Sequence, residues 1–248
     1  IEQVKHLVDE RIKSRKPVAY LTQEAWLQGL PFYIDERAIV PRSFIAELLV
    51  DESLDPFLSD QTQRVLDLCT GNGSLAIIAA LTYPDVSVDA LELSIDALAV
   101  ARINIDRHGL SGRISLIESD CLSHAVGQYD LILCNPPYVN NSSMQQLPQE
   151  YRAEPELALA GGQDGMDFVR QLLKTASQYM TENAVLVLEI GNERENFEHA
   201  FERSFPKLEP IWLETSAGHD QVLLLTRQDI DGLSSPTHAS ARANRRTT

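Results

Sequence analysis

The feature that most limits what this chain can fold into is an apolar run closed by two prolines, Leu131-Ile132-Leu133-Cys134-Asn135-Pro136-Pro137-Tyr138. Four apolar residues without polar alternation read as a strand buried on both faces, which belongs inside a covered parallel sheet. Pro136 and Pro137 have no N–H for a neighbouring strand, so the strand stops there. Adjacent prolines also fix φ and hold the Asn135 amide and the carbonyls of Asn135 and Pro136 in set directions beside the Tyr138 ring. The strand end is thus a rigid set of acceptors next to an aromatic wall.

The surrounding pattern supplies that sheet. Strands are expected at Arg64–Cys69, Val86–Leu93, Arg113–Glu118, Tyr129–Cys134 and Ala184–Ile190, with helices at Ser74–Leu81, Ile95–His108, Met166–Met180 and Glu193–Ser204. Strand–helix alternation implies a parallel sheet with helices on both faces. The last two strands, Leu208–Leu213 and Gln221–Thr226, are joined by a short Gly-containing link, which requires an antiparallel pair. Ahead of this unit, Ile1, Val4, Leu7, Val8 and Ile12 mark one amphipathic helix. Trp26–Ile34 reads as a hairpin around Gly29, and Ser43 as the N-cap of a helix over Phe44–Leu54. The chain therefore divides into residues 1–16, the end of an N-terminal helical region; 17–55, hairpin and connecting helix; 56–228, the α/β domain; and 229–248, a polar tail expected to be disordered. It starts at Ile1 inside a helical pattern without an initiator Met, so a preceding segment is expected.

The net charge of −15 disfavours a phosphate-tracking groove and suits a basic protein partner. No apolar run approaches the roughly 20 residues of a membrane span, and no secretory signal is visible. Cys69, Cys121 and Cys134 sit at spacings that fit no metal-site pattern and read as reduced, buried thiols of a cytosolic protein. The six His residues are scattered, and no metal is expected.

Chemistry concentrates at the strand ends. Val65-Leu66-Asp67-Leu68-Cys69-Thr70-Gly71-Asn72-Gly73-Ser74-Leu75-Ala76 is a strand, a glycine turn and a helix start, a layout that lets backbone approach a nucleotide-type ligand. Glu92, about 20 residues on, would accept from both ribose hydroxyls. A nicotinamide enzyme and an S-adenosylmethionine enzyme share this half. Two acids favour the latter: Asp67, able to engage a methionine ammonium, and Asp120, in Glu118-Ser119-Asp120-Cys121, able to accept from an adenine amino group. Asp120 reads equally as a plain turn residue.

Asn135-Pro136-Pro137-Tyr138 after the fourth strand resembles the motif of methyltransferases that alkylate planar nitrogen, either a side-chain amide or an exocyclic base amine. Over about residues 17–226 the chain is similar to the HemK-type protein glutamine methyltransferases. The resemblance is carried also by Pro17–Leu21, Phe32–Arg37, Val40-Pro41-Arg42-Ser43 and Leu157–Gly165. It implies a Rossmann-like class I S-adenosylmethionine-dependent fold, a mostly parallel seven-stranded sheet with one antiparallel strand. It also implies methylation of a protein glutamine amide nitrogen in the cytoplasm. Catalysis would fall to Asn135, Pro136 and Tyr138, with Pro137 completing the acceptor site. The cofactor would meet Asp67, Cys69, Thr70, Gly71, Asn72, Gly73, Glu92, Asp120, Cys121 and Asn135. The Asn135 side-chain oxygen and the Pro136 carbonyl would each accept one N–H of the acceptor, holding a poorly nucleophilic nitrogen against the sulfonium methyl. Cys69 where the commoner loop has Gly, and Pro-Arg-Ser in place of Pro-Arg-Pro, resemble the branch acting on the third large-subunit ribosomal protein rather than the release-factor branch. Release-factor methylation, a nucleic-acid adenine methyltransferase and a non-catalytic ribosome assembly factor remain the alternatives. Arg42 reads as a surface residue sooner than an anion ligand, and the loop Asn140–Gly165 as a border of the peptide or a plain surface loop.

Overall fold

The computed structural model describes residues 2–202 and 208–234. Helices α1 (Glu2–Ser14) and α2 (Val18–Thr22) lead into the hairpin β1 (Ala25–Leu27) and β2 (Leu30–Phe32). Gln28 and Gly29 at its turn both take positive φ, 49° and 75°, the twist a two-residue hairpin needs. Helix α3 (Ile45–Val50) is shorter than expected, and its N-cap is Phe44. Ser43 supports it from one residue further out, accepting from Ile45 N–H at 3.2 Å.

The expected alternation follows as β3 (Arg64–Leu68), α4 (Ser74–Thr82), β4 (Ser87–Glu92), α5 (Ile95–Arg107), β5 (Ile114–Glu118) and β6 (Tyr129–Cys134). After α6 (Asn141–Gln146) come α7 (Asp167–Thr175), β7 (Met180–Glu189), α8 (Arg194–Ala200), β8 (Ile211–Thr215), β9 (Gly218–Thr226) and α9 (Arg227–Ser234). The expected end of α8, Ser204, lies outside the described residues. The strands lie in the order β5-β4-β3-β6-β7-β9-β8, and every pairing is parallel except the two made by β9. This is the expected class I methyltransferase sheet, seven strands with one antiparallel.

Period-2 alternation assigns the two faces. Val65, Leu131, Leu133 and Val187 pack with Ile45, Leu48 and Ile77 on one side, while Leu66, Ile132, Leu186 and Leu188 pack with Val169, Leu172 and Phe197 on the other. Helix α9 corrects one expectation. It begins at Arg227, and Ile230 is fully buried in the second cluster, although this stretch was expected to be disordered from Asp229. Its entry is a capping box: Thr226 N–H donates to Asp229 Oδ2 at 2.8 Å while Asp229 N–H reaches the Thr226 hydroxyl at 3.3 Å. Residues 235–248 lie outside the described ones. Among the described residues no helix is long and apolar enough to cross a membrane.

The chain runs outward from β3 to β5 and then returns to lay β6 on the other side of β3. The strand order reverses between β3 and β6, and in open α/β sheets ligands bind at the carboxyl ends beside such a point.

Candidate active site

A cavity of about 880 Å³ opens at that point. The loop after β3 forms its floor. Gly71 and Gly73 both take positive φ, 56° and 83°, but for different reasons. Gly71 faces the cavity, whereas a Cβ on Gly73 would meet the Ala101 Cβ of α5 at 3.2 Å, so Gly73 serves helix packing and does not line the cavity. Cys69 takes φ 63°, a left-handed conformation that glycine adopts without cost and other residues rarely. Contact with the Cys134 thiol, and then burial, push the Cys69 thiol well up from its ordinary value, so both stay protonated. The fully buried Asn104 of α5 donates to the Asn72 carbonyl at 2.9 Å and exchanges hydrogen bonds with Tyr33 N–H and C=O, tying the hairpin arm to this loop.

Three acids were expected to hold the cofactor, and the structure places them differently. Glu92 ends β4, accepts from Gly71 N–H and Ser94 N–H at 3.0 Å each, and faces the cavity. Asp120 and Cys121 line the wall after β5, with Asp120 exposed. Asp67 is fully buried beneath the loop and does not line the cavity. Its Oδ2 accepts from the Thr70 hydroxyl and from Ala76 N–H, while its Oδ1 has no partner. Burial, opposed by those two hydrogen bonds, pushes this carboxyl up to about 7. A glycine loop with Gly71 on the cavity and two acids on its wall, Glu92 and Asp120, fit the S-adenosylmethionine that the motifs imply.

The acceptor side is built from β6 and β7. Asn135, Pro136, Pro137 and Tyr138 all line the cavity, as their spacing requires. Tyr138 lies in a bed of glycines: a Cβ on Gly191 would stand 2.5 Å from its ring, one on Gly161 2.7 Å from its Cα, and one on Gly165 2.3 Å from its carbonyl. Val139 N–H donates to the Leu159 carbonyl and Gly161 N–H to the Val139 carbonyl, both at 2.9 Å, zipping the 157–165 segment onto the motif. Burial and the neighbouring Glu189 charge raise the Tyr138 phenol, so it stays neutral.

One group here escaped the sequence reading, and another stands in surroundings it did not foresee. Glu189, at the end of β7, is fully buried yet borders the cavity, its Oε2 accepting from the Ser43 hydroxyl at 2.6 Å and Phe44 N–H at 2.9 Å. Its signal was an acid closing an apolar strand, the same signal that singled out Glu92. Arg42 is neither a free surface residue nor an anion site. Its guanidinium grips both oxygens of Glu154, whose side chain is 2% exposed, and lies 4.9 Å from the Tyr151 ring centre. The 140–165 loop folds into α6 and two short helical turns. It is tethered by that pair and by Arg11 and Arg15 on Glu150, at 2.9 and 2.7 Å.

Comparisons with known proteins agree with this geometry. The family profile described as Methyltransferase small domain matches residues 46–152. A protein of Bordetella pertussis named ribosomal protein uL3 glutamine methyltransferase is 53% identical over 92% of this chain and 76% of its own length. Proteins of the same name from Burkholderia pseudomallei and Neisseria gonorrhoeae are 50% and 47% identical, each over 93% of this chain and 76% of the relative. Among solved structures, the catalytic domain of human METTL16 in complex with a MAT2A 3′UTR hairpin superposes with TM-score 0.62 at 16% identity, over 80% of this chain and 75% of that one. A methyltransferase of Pyrococcus furiosus gives TM-score 0.57 at 18% identity, over 91% and 98%. At such identities these two speak for the fold. The close relatives say more: the chain belongs to the ribosomal protein uL3 glutamine methyltransferase family.

Proposed function

We propose that this protein is an S-adenosylmethionine-dependent enzyme that methylates the side-chain amide nitrogen of a glutamine in ribosomal protein uL3. The carrying observation is the family membership joined to an intact Asn135-Pro136-Pro137-Tyr138 end on the cavity wall. When bound, the cofactor supplies an electrophilic methyl on a positively charged sulfur. Glu92 would take the ribose hydroxyls and Asp120 the adenine edge, while Asp67 braces the loop beneath them.

The protein's own task is to make a reluctant nitrogen react. An amide nitrogen shares its lone pair with the carbonyl and is a weak nucleophile. Asn135 Oδ1 and the Pro136 carbonyl, fixed by the two prolines, accept its two N–H groups and turn the lone pair toward the methyl. These acceptors strengthen as the nitrogen becomes cationic, so they stabilise the transition state more than the ground state. Tyr138 packs on the flat amide and closes the site to water. The 140–165 wall, with Leu147, Tyr151 and Leu157 on the cavity, borders the peptide around the glutamine. The net charge of −15 favours encounter with a basic ribosomal protein over a polyphosphate, and the reaction belongs in the cytoplasm.

The test is incubation of the protein with S-adenosylmethionine and unmodified ribosomal proteins, release factors, or DNA and RNA, with mass spectrometry to locate the methyl group. One methylated glutamine in uL3 is expected. A methyl group found only on release factor or on nucleic acid overturns the assignment.

A further inference from the structure

Glu189 has no role in the clamp described above, yet its surroundings single it out. Cys134, the last residue of β6, pairs with Leu188 of β7, so Asn135, one residue past the end of β6, follows beside Glu189, the last residue of β7. Neighbouring strands run about 4.8 Å apart, and partnered side chains project to the same face. Both residues border the same cavity. Glu189 Oε2 is anchored by Ser43 and Phe44, while Oε1 is buried without a hydrogen bond in this structure, and the Tyr138 phenol is the neighbouring group that favours the charged carboxylate. A carboxylate oxygen without a partner, fixed by its sister oxygen and set beside the acceptor clamp, is costly unless a ligand group meets it.

Resting on the methylation reading, we infer that Glu189 is a catalytic proton acceptor: once the methyl is on nitrogen, its Oε1 takes over from the Pro136 carbonyl the N–H opposite Asn135 and accepts the proton that this nitrogen must shed. The step balances. As the N–CH₃ bond forms, the S–CH₃ bond breaks with its electron pair left on sulfur, and the positive charge passes to the nitrogen. One N–H proton then moves to Glu189 Oε1, its bonding pair returns to nitrogen, and a neutral N-methyl amide and a neutral carboxyl remain. The carboxyl returns the proton to solvent through the cavity mouth. Before transfer, the carboxylate also offsets the charge arriving on the nitrogen.

Burial holds this carboxyl up at about 7, against the pull of its hydrogen bonds, where a group both accepts and releases protons near neutral pH. The ionisable groups facing it are Tyr138 and Cys134 from β6 and its continuation, and Arg42 with Glu154 from the arm and loop. The Tyr138 phenol and Cys134 thiol are raised and stay neutral, and Arg42 is neutralised by Glu154, so among these groups Glu189 is the one that titrates in this window; Asp67, also raised to about 7, lies beneath the loop after β3.

Glu189→Gln keeps the shape and one acceptor oxygen for the Ser43 and Phe44 anchors. Three results are expected from it: cofactor affinity by calorimetry and melting temperature near native, acceptor KM within about threefold, and kcat lower by at least about 10²-fold. Native kcat should fall on the acid side of neutrality, and the variant should lose that limb. Glu189→Asp, which keeps a carboxyl, should recover part of the rate. In cofactor-free protein, carboxyl-labelled glutamate NMR should show one resonance titrating near neutrality that Glu189→Gln lacks. Unchanged kcat and acid limb in Glu189→Gln overturn the proposal alone. A loss of kcat matched by lost cofactor affinity or melting temperature overturns it in favour of a structural role. Native protein that leaves uL3 unmethylated defeats the functional reading itself, and this proposal with it.

Discussion

The two halves of the cavity are held together in opposite ways. On the cofactor side the bonds of the two acids are short in sequence, Thr70 to Asp67, Ala76 to Asp67, Ser94 to Glu92, and Gly71 to Glu92 across 21 residues, and Asn104 adds a longer tie to the loop across 32. On the acceptor side the bonds span the chain, with Arg42 to Glu154 separated by 112 residues and Ser43 to Glu189 by 146. The first half is built largely from one supersecondary unit, β3, its loop, α4 and β4. The second exists only once the arm, β7 and the 140–165 loop have met. A nucleotide loop therefore transfers between many enzymes, while an acceptor pocket is particular to one.

Mutations should separate the halves. Asn135→Ala removes an acceptor that acts mainly in the transition state, and turnover should fall by about 10³-fold, some 4 kcal/mol. Cofactor affinity measured by calorimetry should stay within a few-fold. A variant with near-native turnover would break the clamp mechanism.

Asp67 probes the other half through stability. Its carboxyl is raised to about 7 when folded, so between about pH 4 and 7 the folded state keeps a proton that the unfolded state has released. Unfolding free energy should accordingly fall as pH rises through that window, by on the order of 4 kcal/mol from this group. Glu189, also raised to about 7, contributes in the same direction. Asp67→Asn should flatten the slope, leaving the Glu189 share, when denaturant curves are compared across pH. An unchanged slope would mean that Asp67 stays ionised.

Gly191→Ala tests the bed under Tyr138. The new Cβ would fall 2.5 Å from the ring at a φ of 54°. About 2 kcal/mol of stability and roughly tenfold in turnover should be lost together, while cofactor affinity holds.

The same contrast explains what could be read in advance. The strand alternation and the Gly71–Gly73 turn are legible within a few residues, Glu92 from its place about 20 residues further on, and the Asn135–Tyr138 end from its resemblance to a known motif; Gly71, Glu92 and Asn135–Tyr138 line one cavity. Arg42 looked like a surface residue because its partner, Glu154, lies in a loop whose sequence holds no periodicity. Nothing local marks what the glycines at 161, 165 and 191 accommodate, which is Tyr138: its backbone at Gly161 and Gly165 and its ring at Gly191. Gly73 and Asp67 were read as ligand contacts from the loop pattern, and they turn out to support the loop from behind. Helix α9 was missed because a polar composition outweighed the Thr226-x-x-Asp229 cap. Local chemistry is legible in a sequence; which distant side chain completes it depends on the fold.

Arg42→Ala would strip Glu154 of its partner while the carboxylate remains buried. A loss of about 1.5 kcal/mol is expected from urea unfolding, with a raised KM for uL3 and little change in cofactor affinity. Replacing both residues by apolar ones, Arg42→Met with Glu154→Leu, should restore stability. If KM returns as well, the pair only braces the loop, and the loop's shape is what the peptide reads.

The smallest effect is expected at Asp120, the exposed member of the cofactor half. Its modest contact is Gln171 Nε2 at 3.4 Å, so removing it leaves no buried group stranded. One solvent-exposed hydrogen bond contributes about 1 kcal/mol or less. Asp120→Ala should then weaken cofactor binding by no more than about fivefold and leave kcat at saturating cofactor untouched. If kcat fell instead, the adenine edge would be steering the methyl toward Asn135, and the two halves would be one coupled machine.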